Sequence, residues 1–87
     1  MPKKSKDPLQ VIPGIGKAMA GDLRDLGYTG TKQLKNADPE EMYARLERLH
    51  GKQDRCVLYV FRCAVYFCSN TKHDPELLKW WNWMDKP

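Results

Sequence analysis

The dipeptide Asp-Pro occurs three times in this chain, at Asp7-Pro8, Asp38-Pro39 and Asp74-Pro75. Each offers a carboxylate to cap free helical N–H groups, followed by a residue with no N–H to lose at the first helical position. Glu41 stands three residues beyond Asp38, the spacing of a capping box. Stop signals stand at matching distances, with Gly27 after Leu26 and Gly51 after His50. Apolar residues recur at three- and four-residue spacing and do not alternate as a strand requires. The expected fold is all-α: a compact bundle of five to six short helices at about 8–12, 17–26, 31–35, 39–49, 54–68 and 75–84.

The faces of these helices define the expected core. Ile15, Met19, Leu23 and Leu26 share one side of the second helix, and Met42, Tyr43, Leu46 and Leu49 one side of the fourth. The segment 54–68 is apolar nearly all round, which marks it as the central and most buried element. In the last helix Leu77, Trp80, Trp81 and Met84 are expected to face inward, with Trp83 on the polar side. Eighty-seven residues make one domain, spanning 7–87 behind a flexible basic tail at 1–6. Lysines 3, 4 and 6 hold most of the net charge of +4, so the remainder is nearly neutral.

No apolar run approaches the roughly 20 residues of a membrane span. The basic N-terminus lacks an apolar signal segment, so a cytoplasmic protein without membrane contact is expected. Cys56, Cys63 and Cys68 are odd in number and share one apolar run, which reads as reduced thiols. Cys56 and Cys63, seven residues apart, read as small core hydrophobes.

Residues 9–26 contain the strongest local signal. In Pro13-Gly14-Ile15-Gly16 the two glycines let the backbone turn sharply and approach a ligand with no Cβ in the way. The turn feeds into a helix N-terminus, whose free N–H groups and positive dipole end attract an anion. Lys17 adds a mobile positive charge there, and Ile12 and Ile15 anchor the turn to the core. Leu9, Ile12, Gly14, Ile15, Gly16, Ala20 and Leu23 fill every position of a pattern that resembles the helix-hairpin-helix motif of DNA-repair and replication proteins. The resemblance implies that the amides of Gly14, Gly16, Ala18 and Met19 hold phosphate oxygens of a DNA strand. It also implies that the carbonyls of Gln10, Ile12 and Ile15 are candidates to cradle a monovalent cation. The nucleic-acid-binding residues are then Gly14, Ile15, Gly16, Lys17, Ala18 and Met19, with no cofactor.

Ile12–Ala20, Asp22-Leu23-Arg24, Leu34-Lys35, Asp38–Glu41, Asp54–Tyr66 and Leu78–Trp83 together resemble the small bacterial "pathogenicity locus" family of single helix-hairpin-helix proteins. That resemblance implies the fold and a link to DNA, but no substrate. Residues 39–68, with His50-Gly51-Lys52 between two helices, are a candidate degenerate second hairpin that has one glycine where the first has two.

Other constellations are weighed against plainer readings. Arg55, Tyr59, Arg62 and Tyr66 fall on one face of the fifth helix. They read either as arginines paired with carboxylates and half-buried tyrosines, or as a second surface for phosphates and bases. Arg55, Arg62 and Trp83 are therefore secondary surface candidates. The cysteines with His50 and His73 lack metal-site spacing, and no carboxylate cluster of nuclease type appears. The resulting expectation is a non-enzymatic, sequence-independent DNA-backbone binder, accessory to repair, recombination or uptake. The rival is a protein-interaction or self-associating module with the same fold as scaffold, which Asp22 and Asp25 favour because they repel a strand lying along the second helix.

Overall fold

The computed structural model describes residues 8–85; the expected tail at 1–6 and the Asp7 cap lie outside the described residues. Four α-helices follow one another: α1 (Lys17–Asp25), α2 (Thr31–Leu34), α3 (Pro39–His50) and α4 (Arg55–Ser69). Single 3₁₀ turns flank them at Pro8–Val11, Pro75–Leu78 and Trp80–Trp83. No strand occurs among the described residues. The all-helical expectation stands, while five to six helices become four, with the terminal segments closing as tight turns.

Local chemistry sets most boundaries. Asp38 Oδ1 accepts from Glu40 N–H at 2.9 Å, and Asp74 Oδ1 accepts from Glu76 N–H at 2.9 Å. Gly27 closes α1 in the left-handed region at φ 97°. Its N–H donates to Arg24 O at 2.9 Å while Tyr28 N–H donates to Leu23 O at 2.9 Å. These two bonds form a Schellman motif that satisfies carbonyls left open at the helix end.

Leu9, Ile12, Leu23, Leu34, Met42, Leu46 and Phe61 are each no more than 1% exposed and belong to one apolar cluster. The helix α4 is the hub, packing against α2, α3 and both C-terminal turns. Its Val60, Phe61 and Ala64 enter the main cluster, while Cys63 Sγ lies 3.5 Å from Leu77 O. On α3 and α4, two residues expected inside are exposed. Leu49 lies in the last turn of α3, and Cys56 in the first turn of α4, whose Val57 and Leu58 turn to the core instead. Burial pushes the Cys63 thiol up and the Cys68 thiol up to about 11.

The expected helix at 75–84 is instead two turns joined at an extended Lys79 (φ −93°, ψ 116°). The break goes with a change in which donors reach the carbonyls. In an α-helix Glu76 O and Leu77 O would accept from backbone amides four residues on. Here Glu76 O accepts from Lys79 N–H at 3.3 Å, three residues on, and from Asn82 Nδ2 at 2.6 Å, while Trp83 Nε1 takes Leu77 O at 2.8 Å. The break redistributes the tryptophans. Trp80 packs on the core and Trp83 is half-buried against Tyr66, whereas Trp81 and Met84 face solvent, contrary to expectation.

The polar stripe of α4 is the surface onto which this C-terminal segment docks. Arg55 Nε donates to Asp85 Oδ2 at 2.7 Å, and Tyr59 OH donates to the same oxygen at 3.2 Å. Arg62 donates to Trp83 O at 2.7 Å and Glu40 Oε2 at 2.7 Å, and pairs with Asp85 Oδ1 at 2.9 Å. The arginines thus find carboxylates, though on α3 and the C-terminus. The hydrogen bonds from Arg55 and then Arg62 lower the Asp85 carboxyl to about 2. A depressed folded-state pKa contributes stability above the ordinary carboxylate value, lost as pH falls through the folded one. Near-UV circular dichroism of the tryptophans should therefore change between about pH 4 and pH 2. Asp85→Asn should show the altered spectrum already at neutral pH. A wild-type spectrum unchanged down to the lower limit would contradict this docking.

Candidate functional site

The turn at residues 12–16 is closed from within: Ile12 N–H donates to Leu9 O at 3.3 Å and Ile15 N–H to Ile12 O at 3.1 Å. Ile12 and Ile15 are buried, at 1% and 5% exposure, and hold the turn on the core as expected. The Ile12 carbonyl, one of the three expected to cradle a cation, thus already accepts an internal bond, and the Ile15 amide is spent inside the turn. Gly14, Gly16, Lys17 and Ala18 lie on the surface, and Met19 is half-buried against the cluster.

The two glycines do different work. Gly14 has φ +84°, and a Cβ there would stand 3.6 Å from Trp80 Cδ1 and 3.7 Å from Val60 Cγ1. A side chain at this position is strained by the left-handed backbone itself. Gly16 has ordinary extended torsions (φ −91°, ψ −171°), and a Cβ there meets nothing within 4 Å. The fold does not require glycine at 16. What its absent side chain leaves open is the approach to the first turn of α1.

That first turn presents donors. The earliest intrahelical bond outside the regular ladder runs from Ala20 N–H to Gly16 O at 2.9 Å, and no side chain caps the helix. The amides of Lys17, Ala18 and Met19 therefore point off the helix end with its positive dipole behind them. By contrast, α3 has Asp38 for a cap, and Gln33 Oε1 accepts from Gly30 N–H at 3.1 Å at the start of α2, while α4, like α1, begins without a side-chain cap.

The far end of α1 has the opposite character. Asp25 Oδ2 lies 2.8 Å from His50 Nε2, and Asp22, Asp25 and His50 bring ligand atoms within 4.8 Å of one another. Sequence reasoning missed this cluster because His50 is 25 residues from Asp25 and reaches it across the α1–α3 packing. Beside it is a shallow groove lined by Asp25, Leu26, Arg45, Arg48 and Leu49, where Arg45 Nη2 donates to Leu26 O at 2.8 Å.

The secondary candidates change standing. Arg55 and Arg62 are engaged by Asp85 and Glu40, and Trp83 has its ring on Tyr66 and its N–H on Leu77 O. Arg55 keeps about half of its side chain exposed, at 51%, while Arg62 and Trp83 are partly buried by these contacts. The exposed tryptophan is Trp81. In the 51–54 turn of the candidate second hairpin at 39–68, Gln53 N–H donates to Glu47 Oε2 at 3.1 Å and Tyr43 OH to Gln53 O at 2.7 Å. His73 stacks on Phe67 with centroids 4.6 Å apart and donates to Phe67 O at 2.8 Å, a structural arrangement. Among the described residues, no helix is long and apolar enough to cross a membrane.

Comparison with known proteins matches residues 2–87 to the family described as Pathogenicity locus. A relative, the mitomycin resistance protein McrB of Streptomyces lavendulae, is 28% identical over 76 residues, covering 86% of this chain and 69% of that protein. No solved structure matches.

Proposed function

This chain belongs to the Pathogenicity locus family, and we propose that it is a non-catalytic module that grips the DNA backbone without reading sequence. Residues 9–26 act in this reading as a helix-hairpin-helix, and the module serves a larger repair, recombination or uptake machine. One observation supports it above the rest: the uncapped first turn of α1 is exposed, and the missing Gly16 side chain leaves its approach open. Amides so arranged suit a phosphate oxygen, and Lys17 supplies the nearby positive charge. Backbone contact of this kind carries no base information. The raised pKa values of Cys63 and Cys68 suit packing and not nucleophilic work.

Fluorescence anisotropy with short labelled DNA tests the proposal. Dissociation constants near the weak end of roughly 10⁻⁴–10⁻⁶ M are expected, with a log–log salt slope of about −1 to −2 for one or two phosphates. Lys17→Glu should weaken every sequence alike. Equal binding by the wild type and this variant would reject the hairpin as the site.

The exposure of Val11, Leu49, Trp81 and Met84 favours a second reading, an interaction module whose hairpin is only scaffold. Light scattering after size exclusion separates the two: a strict monomer that binds DNA argues against self-association.

A further inference from the structure

Trp81 is half exposed, at 52%, and its only ring partner among the described residues is Trp80, with centroids 5.8 Å apart at 85°. Trp80 in turn lies against the turn of the candidate site, since its Cδ1 is 3.6 Å from the place a Gly14 Cβ would occupy. The chain of contacts Gly14–Trp80–Trp81 therefore runs from the hairpin directly to an open indole. The indole stands on an anchored backbone. Its neighbours are tied by Asn82 N–H to Lys79 O at 3.0 Å and by Trp83 Nε1 to Leu77 O at 2.8 Å.

Resting on the backbone-binding reading above, we propose that Trp81 is a stacking platform for an unpaired base, which makes single-stranded DNA the preferred ligand of this hairpin. A strand held by phosphate at the N-terminus of α1 has two ways to continue. Along α1 it meets Asp22 and Asp25, whose negative charge opposes it. Across Gly14 and Trp80 it approaches the Trp81 ring. Every base has a π-face, so an indole beside a phosphate grip favours exposed bases of any sequence. A duplex keeps its bases stacked inside and offers that ring nothing.

The test compares a mixed-sequence single strand with its duplex, read by anisotropy and by tryptophan fluorescence quenching. Wild type should favour the single strand and be quenched by it. Trp81→Ala should weaken single-strand binding about tenfold, leave duplex binding within about twofold, and recover in Trp81→Phe. An unaltered thermal melt shows that the surface substitution leaves the fold intact. Single-strand binding unchanged in Trp81→Ala overturns the platform. If Lys17→Glu then still weakens both DNA forms, the backbone reading survives without it; if neither variant changes binding, both fall. A change in oligomeric state in Trp81→Ala with unchanged DNA binding assigns the ring to a protein partner and also overturns the proposal.

Discussion

Gly16→Asp should raise the melting temperature of this protein while removing most of its affinity for DNA. The backbone at 16 already has the extended torsions of an N-cap, and a side chain there meets no atom of the protein. An aspartate can therefore turn its carboxylate onto the amides of Ala18 or Met19, as Asp38 does for α3. The cap and its charge at the positive helix end together add about 0.5–1 kcal/mol, a rise of a few degrees for a domain of this size. The same carboxylate occupies the donors a phosphate would use and repels it. A charged hydrogen bond contributes about 1.5–3 kcal/mol, so affinity should fall tenfold or more. Gly16→Ala is the control, because it fills the space without an acceptor. Thermal melts and anisotropy on the same samples read both signs. A stabilised Gly16→Asp that binds DNA as before would mean that phosphates do not use these amides.

Phe61→Ala should bring the protein close to unfolding. Phe61 is fully buried on α4 at the centre of the cluster that contains Leu9, Ile12, Leu34, Met42 and Leu46. Truncating a buried phenylalanine costs about 3–5 kcal/mol, counting the cavity left behind. A chain of this length has roughly 4–13 kcal/mol in total. A fall in melting temperature of about 15 °C or more is expected by far-UV circular dichroism, with Phe61→Leu losing much less. Because Leu9 and Ile12 bound the hairpin and share this cluster, the variant should also bind DNA more weakly below its melting point. A fall of only a few degrees would show that α4 is not the hub.

Much of the frame was legible because its causes lie within a few residues. Asp38 and Asp74 cap where they stand, and Gly27 takes the left-handed conformation that ends α1. Ile12 and Ile15 are buried on either side of Pro13-Gly14. The distinction between Gly14 and Gly16 was not legible, since both are simply glycines in a turn. It appears only when Trp80 and Val60 are seen beside one and open space beside the other.

Sequence alone determined the helical class, the caps and stops, and the apolar faces of the first three α-helices short of Leu49, because backbone torsion and capping act over a turn or less. Tertiary packing decided the partners. Arg55 reaches Asp85 and Arg62 reaches Glu40 across gaps of 30 and 22 residues, and no periodicity encodes such closures. Packing also decided which tryptophan meets solvent. A continuous helix would have kept Trp80 and Trp81 inward, but the chain bends at Lys79, where Asn82 and Trp83 side chains donate to the carbonyls of Glu76 and Leu77.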